Sequence, residues 1–305
     1  MSKQKSPSIK SAGENEPDTG KPVGYFELIH CNPNFRYLWY GQVVSLLGDW
    51  FNLIASATLA AQLSGSGFAV GILFAIRMLA PFVIAPVAGI CTDRYNRKHI
   101  LIITDVTRSF IVFGFLFVQE ESDIWLLYTL ATLLFSVSGF FSPARSAILP
   151  DITSPRELGT ANAFGAATWA VMYALGAAIG GFTTGIFGIH TAFIIDGLTF
   201  LISAFVLLKI KLSNSPSTTK GNSTQAKLSA LRYMLRHPDV LFIAMHKAAI
   251  VPGFQVLQVE IAKNYFTIGV GGVLSLGMMY CMNGIGGGIG PILARRWTRD
   301  QNTRL

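Results

Sequence analysis

Of the ionisable residues that interrupt long apolar stretches of this sequence, where a charge is costly and therefore needs a reason, five are the main candidates for function. They are Asp49, Arg77, Asp105, Arg108 and Asp196. A carboxylate in such a setting can take up and release a proton, contact a substrate, or serve the fold as a hydrogen-bonded buried group. We take Asp49 as the first candidate for a proton-coupling or substrate-contacting acid, with a structural carboxylate as the alternative.

A strongly cationic turn separates two of the apolar stretches. It runs from Gly89 to Lys98 and has the pattern G-x-x-x-D-R-x-x-R-K. Lys and Arg accumulate in the cytoplasmic loops of membrane proteins, so the simplest interpretation of this turn is a positive anchor without a moving part.

Motifs for enzyme chemistry are absent from the sequence. Cys31, Cys91 and Cys281 have no C-x-x-C spacing, so neither zinc nor a disulfide framework is indicated. There is no H-E-x-x-H, no G-x-S-x-G and no G-x-x-x-x-G-K-[ST] pattern. The glycines of 284–290 lie inside an apolar stretch, where they indicate close helix packing and not a nucleotide site. We therefore expect no catalytic residue, no metal and no cofactor.

The composition is that of an integral membrane protein. Only 13% of the residues are charged, 51% are hydrophobic and the mean hydropathy is +0.47. A soluble domain carries about 25% charged residues. The net charge of +8 does not indicate a nucleic-acid partner, because the basic residues lie in short segments between apolar runs and not on one amphipathic face.

Eight stretches are long and apolar enough to cross a bilayer, which takes about 20 residues of helix. We place them at 35–63, 68–90, 99–118, 124–141, 159–187, 190–210, 240–262 and 268–294. Of the 24 basic residues, 20 lie in the terminal segments or in the even-numbered connections, whereas the odd-numbered connections hold one, Lys263. This alternation predicts a cytoplasmic N-terminus.

Polar segments divide the chain into four parts. We expect a disordered cytoplasmic tail over 1–34, a six-helix transmembrane bundle over 35–210, a cytoplasmic linker over 211–236, and the last two spans within 237–305. Within the bundle, we interpret 142–151 as a cytoplasmic loop that carries Arg145.

These features resemble the major facilitator superfamily, a class of secondary transporters built from two six-helix bundles joined by a cytoplasmic linker. The cationic turn resembles the signature loop between the second and third helices of that family. The resemblance implies that a glycine of this turn permits close helix approach and that its charges latch the cytoplasmic side. The five positions concerned are Gly89, Asp93, Arg94, Arg97 and Lys98.

The same framework gives roles to the remaining charges. Arg77 lies about halfway along the second span and can pair with Asp49 or with an acid of the third span. Asp105 and Arg108 are three residues apart on one helix face. We expect them to extend the charge network of the cationic turn, in preference to contacting the substrate. Asp196 can balance a buried cation.

Further residues resemble the branch that contains the enterobactin exporter and macrolide efflux proteins. They are Gly48-Asp49-Trp50, Arg77 with Pro81, the segment 142–151 and Ala161-Asn162-Ala163. This resemblance implies export of a bulky amphipathic compound, such as a drug, a macrolide or a siderophore, driven by the proton gradient.

A glycine-rich segment of the fifth span resembles the G-P-x-x-G-G pattern of antiporters. Gly176, Gly180 and Gly181 are present, but Ala177 replaces the proline. Small residues still permit close helix packing, whereas the kink that a proline would introduce is not expected.

We thus expect an all-α membrane protein with the major facilitator fold, in which a complete N-terminal bundle is followed by a C-terminal bundle truncated after the eighth helix. It would be a monomeric, multi-pass protein of the cell (inner) membrane that moves a small molecule by alternating access, with protons as the coupling ion. It would not be an enzyme. Two alternatives stay open: a truncated remnant that does not transport, and a lipid scramblase or membrane enzyme that uses the same buried charges.

Overall fold

The computed structural model describes residues 23–212, 238–268 and 272–297, and nearly all of them are helical. The helices are α1 (Tyr25–Cys31), α2 (Pro33–Ser64), α3 (Gly67–Arg94), α4 (Arg97–Gly114), α5 (Ile124–Ile152), α6 (Pro155–Phe187), α7 (Ile189–Leu208), α8 (Pro238–Asn264) and α9 (Val273–Trp297). Short 3-10 turns at Phe115–Phe117 and Glu121–Asp123 connect α4 to α5. The prediction of an all-α membrane protein is confirmed.

Helices occupy all eight positions that the sequence predicts for membrane spans. Within the described residues, six are long and apolar enough to cross a membrane: Pro33–Ser64, Gly67–Arg94, Arg97–Phe117, Glu121–Ile152, Pro155–Phe187 and Ile189–Leu208. The expected disorder of 1–34 is wrong for its last residues, because α1 and the start of α2 lie there. The rest of that tail, and the expected linker from 213 onward, lie outside the described residues.

The connections that lead into α2, α3 and α4 are short, and each is closed by a side-chain cap. Asn32, Ser66 and Asn96 precede α2, α3 and α4, and the side chain of each accepts a hydrogen bond from a backbone N–H of the first turn. Gly65 ends α2 with φ of 65°, a left-handed conformation that suits glycine. Because the turns at 65–66 and 95–96 are so short, α3 runs antiparallel to both α2 and α4.

The first six long helices, α2 to α7, form one bundle. α2 lies against α6 and α7, α4 lies against α5 and α7, and α3 lies against α5. α8 and α9 extend this bundle, α8 against α3 and α9 against α6. Large apolar side chains such as Phe82, Phe182 and Phe205 are exposed on the outside, as expected for helices that face lipid.

The segment 142–151 is helical and not a loop, so that prediction is wrong. α5 continues to Ile152 through Pro143 and Pro150. Prolines are tolerated in membrane helices because neighbouring groups satisfy the backbone atoms that they free. Arg145 consequently lies within α5, where its Nε donates to Gln42 Oε1 of α2 at 2.8 Å.

Candidate functional site

Polar side chains form one stripe along α2 and another along α7. In each helix they follow one another at intervals of three or four residues, which places them on a single face. The stripe of α2 consists of Gln42, Ser45, Asp49 and Asn52. The stripe of α7 consists of Asp196, Thr199 and Ser203. Both lie beside α4, so the interior of the bundle holds a polar region between three helices.

Arg108 of α4 is the centre of this polar region and is 2% exposed. Its Nη2 donates to Asp105 Oδ1 and, at 3.1 Å, to Ser45 Oγ, so one guanidinium links α4 to α2. Its guanidinium carbon lies 4.1 Å from the ring centroid of Phe200 and 4.7 Å from that of Phe141. The cation is thus held by a carboxylate, a hydroxyl and two aromatic faces.

Asp49 faces the same cation from α2. Its Oδ1 lies 3.6 Å from Arg108 Nη1, and 32% of its side chain is exposed, whereas Asp105 is fully buried. Arg108 is therefore shared between a sealed carboxylate and an accessible one. Asp105 and Arg108 belong to this buried polar region. The expectation that they extend the charge network of the cationic turn is therefore wrong. The physical reason is the helix rise, because Asp105 is eight residues, or about 12 Å, beyond the start of α4.

Ser203 joins α7 to both other helices. Its Oγ donates to Asp105 Oδ2 at 2.6 Å and to the carbonyl oxygen of Gly41 at 3.0 Å. A hydroxyl has one hydrogen, so it can serve both acceptors fully only by sharing that hydrogen. Ser109 Oγ adds a bond from α4 to the carbonyl oxygen of Gly197 at 2.8 Å. The three helices are thereby fixed in register around the charges.

Asp196 and Asn52 form a second part of the polar region. They are 0% and 2% exposed, and neither the carboxylate oxygens of Asp196 nor the amide atoms of Asn52 have a hydrogen-bond partner. The two side chains are close enough to interact with each other. α2 and α7 approach closely here, because a Cβ on Gly48 would lie 2.5 Å from Asp196 Oδ1 and would collide with Thr199 Oγ1.

Arg77 of α3 approaches this region without joining an ion pair within the described residues. Its guanidinium carbon lies 5.0 Å from the ring centroid of Phe135. It interacts electrostatically with Asp49, Asp196 and Tyr280 at longer range. The direct pairing with Asp49 that the sequence suggests is therefore replaced by a cation–π contact.

The cationic turn consists of the last turn of α3, the two residues Tyr95 and Asn96, and the first turn of α4. Gly89, Asp93 and Arg94 belong to α3, and the two charged ones are exposed. Arg97 and Lys98 contact residues beyond the turn. Arg97 Nη1 contacts Asp151 Oδ2 at 2.5 Å, and Lys98 Nζ donates to the carbonyl oxygens of Leu208 and Ile210 at 2.7 Å.

These two contacts have a simple electrostatic basis. Arg97 begins α4, where a positive charge opposes the helix dipole, and the carboxylate of Asp151 offsets that effect. Lys98 lies at the end of α7, where free carbonyl groups favour a cation. Asp151 belongs to α5, and Leu208 and Ile210 lie at the end of α7 or just after it, so the turn fastens helices of the first bundle to one another.

The glycines of α6 lie between α2 and α9. A Cβ on Gly176 would lie 2.5 Å from Trp50 Cδ1, and one on Gly180 would lie 3.1 Å from the carbonyl oxygen of Trp50. On the other side, a Cβ on Gly277 of α9 would lie 3.0 Å from Gly181 Cα. Absence of a side chain is what permits these approaches.

Sequence reasoning missed the uncharged polar residues of the site, which are Gln42, Ser45, Asn52, Ser109, Thr199 and Ser203. The signal that reveals them is their helical spacing from Asp49, Asp105 and Asp196. Within the described residues, no group of three or more His, Cys, Asp or Glu side chains is arranged to hold a metal ion.

Known transport proteins are similar to this chain in sequence. Residues 38–304 match the family model described as Major Facilitator Superfamily. The putative bacilysin exporter BacE of Bacillus subtilis is 27% identical over 277 residues, which cover 90% of this chain and 68% of BacE. The multi-drug resistance efflux pump PmrA of Streptococcus pneumoniae is 26% identical over 217 residues, which cover 67% of this chain and 52% of PmrA.

A solved structure shows the same fold. The crystal structure of a mutant of the peptide transporter POT superposes with a TM-score of 0.59 and covers 93% of this chain and 72% of that transporter. The sequence identity is 10%. The likeness therefore concerns the arrangement of the helices.

Proposed function

This chain belongs to the major facilitator superfamily, and from that premise we propose that it exports a bulky amphipathic organic compound across the cell (inner) membrane in exchange for protons. It is a multi-pass membrane protein of a transporter family, and its relatives are transporters and not enzymes. Export of an organic compound such as a drug is supported by the names of two relatives, a putative bacilysin exporter and a multi-drug resistance efflux pump; a macrolide or a siderophore is proposed from the sequence resemblance.

The observation that carries the proposal is the shared cation of the polar region. Arg108 contacts the sealed Asp105 and the accessible Asp49 at the same time. A change of charge at Asp49 alters its electrostatic attraction to Arg108, which links α4 to α2. It would therefore change how α2 and α4 pack. A proton that neutralises Asp49, or a cationic substrate that pairs with it, would act in this way. The buried ion pair is thus a means to couple binding to helix movement.

Contacts at the end of the bundle opposite the cationic turn support alternating access. Lys263 Nζ of α8 donates to the carbonyl oxygen of Gly65 in the α2–α3 connection at 3.0 Å. A Cβ on Gly185 of α6 would lie 3.3 Å from Leu274 Cγ of α9. With the N-terminus in the cytoplasm, these contacts lie on the outer side, where they would close the cavity while the cytoplasmic side opens.

Transport in inside-out membrane vesicles tests the proposal. With an acidic lumen, vesicles that carry the chain should accumulate ethidium several-fold above vesicles from cells with the empty vector, because protons leave the lumen as the probe enters. Nigericin, which collapses the pH difference, should abolish the accumulation. Absence of flux would indicate a non-transporting remnant, and lipid movement without a gradient would indicate a scramblase; either result overturns the proposal.

Asp93→Asn tests whether the cationic turn latches the cytoplasmic side. Removal of the acid should weaken closure of the cytoplasmic side, slow ethidium transport and shift the balance toward the inward-open form. Cys91 of α3, two residues away and half-buried, reports this balance. In a chain without Cys31 and Cys281, maleimide labelling of Cys91 should become several-fold faster, whereas Asp123→Asn at the opposite end should leave it unchanged. Full transport with unchanged labelling would argue against the latch.

A further inference from the structure

We infer that Asp196 and Asn52 form the proton-binding site of this chain, in which a neutral Asp196 carboxyl group donates its hydrogen to Asn52 Oδ1. This inference deepens the proposed function, on which it rests for its role in transport. It assigns proton exchange to the α2–α7 contact and leaves Asp49 to hold Arg108 and to meet the substrate.

The first argument is that buried polar atoms of Asp196 and Asn52 lack hydrogen-bond partners. Both oxygens of Asp196 and both amide atoms of Asn52 are buried without a hydrogen-bond partner. An ionised carboxylate in such surroundings has a large desolvation cost, which Asn52 and the more distant guanidinium groups of Arg77 and Arg108 offset only in part. One added proton removes this charge and supplies an O–H group that can donate to the free amide oxygen of Asn52.

The second argument is charge balance. The charged groups that act on Asp196 are Asp49 of α2, Arg77 of α3 and Arg108 of α4, and Arg108 also holds Asp105. α6, the other helix beside this region, has its charged residues only in its first turn. Three carboxylates therefore face two guanidinium groups, and the region lacks one positive charge when all are ionised.

The third argument identifies which of the three carboxylates binds the additional proton. Asp105 contacts Arg108 and accepts a hydrogen bond from Ser203, and Asp49 is within 3.6 Å of Arg108. Asp196 has no ion pair within the described residues, and the polar side chain that interacts with it is that of Asn52. Arg145 does not supply the charge, because it is bound to Gln42, ten residues or about 15 Å along α2 from Asn52.

Exchange of the proton requires that α2 and α7 separate. The site is closed to solvent, and Gly48 brings the two helices together directly over Asp196. When the site opens outward, hydronium transfers a proton to an Asp196 oxygen and leaves water. When it opens inward, water accepts that proton and the carboxylate is regenerated. Neutral Asp196 is thus stable in the closed state between these two steps.

Infrared spectroscopy of the purified full chain tests the site without any need for transport. The wild type should show the C=O stretching band of a protonated carboxylic acid at neutral pH. The band should be lost in Asp196→Asn, shifted in Asn52→Leu, which removes the acceptor, and retained in Asp49→Asn. Absence of the band, or its retention in Asp196→Asn, would overturn the inference. So would Na⁺ raising the unfolding temperature of the wild type and not of Asp196→Asn, because the site would then hold Na⁺.

Vesicle assays separate this inference from the proposed function. Asp196→Asn should lose uphill, gradient-driven accumulation of ethidium by at least tenfold while downhill flux of the probe continues, since a permanent amide cannot exchange a proton. A purely structural role would reduce both fluxes together and would contradict the inference. If the wild type shows the infrared band and transports nothing, the proposed function fails and the proton site stands.

Discussion

Arg108→Gln should lower the free energy of unfolding by about 3–5 kcal/mol, because it removes one partner of a buried ion pair and leaves the other charge uncompensated. Asp105 is fully buried, and after the substitution it still accepts a side-chain hydrogen bond from Ser203. The two aromatic contacts of the guanidinium, with Phe141 and Phe200, are lost as well. The variant should accumulate poorly in membranes and should unfold at a clearly lower temperature in detergent.

The double variant Arg108→Gln with Asp105→Asn separates loss of charge balance from loss of packing. Both buried charges are then removed, so more than half of the lost stability should return, and the two substitutions should be strongly non-additive. Arg94→Gln is the matched control, because Arg94 is exposed and its replacement should change stability by no more than about 0.5 kcal/mol. A double variant no more stable than Arg108→Gln alone would contradict the ion-pair interpretation.

Hydropathy and basic loops were sufficient to predict the helices, because the bilayer imposes the same length and composition on every span. The connection between the fourth and fifth spans shows where this reasoning fails. In the sequence alone, a segment with Pro143, Arg145 and Pro150 is typical of a loop. In the folded bundle the amide of Gln42 receives Arg145, and α5 stays helical. A partner that is distant in sequence decides the outcome.

The charged residues of the polar region were predictable from the sequence, but the pairs that they form were not. The sequence singles out Asp49, Asp105, Arg108 and Asp196 because each charge interrupts an apolar run. Which of them meet depends on the rotation of each helix about its axis, which hydropathy does not determine. The spacing of Ser45 and Asn52 from Asp49 does contain that information, since residues three or four apart share a helix face. Polar periodicity within a span therefore predicts its interior side.

Gly284→Ala should separate the two parts of the bundle that meet at α6 and α9. A Cβ at this position would lie 2.5 Å from the backbone nitrogen of Ala174 and 2.7 Å from its Cα. These are backbone atoms of a packed helix, so the clash cannot be relieved by rotation of a side chain. We expect a loss of about 1–3 kcal/mol, as for other overpacked sites, measured as a lower unfolding temperature of the purified chain.

Gly286→Ala provides the matched control in the same helix. Nothing lies within 4 Å of a Cβ at Gly286, so the substitution there should stabilise α9 by up to about 1 kcal/mol through helix propensity alone. The two variants make the same chemical change two residues apart and should shift stability in opposite directions. Equal shifts would show that α6 and α9 do not approach at Gly284. Opposite shifts would show that glycine permits this approach, in a lipid environment where packing and not hydrophobic burial drives helix association.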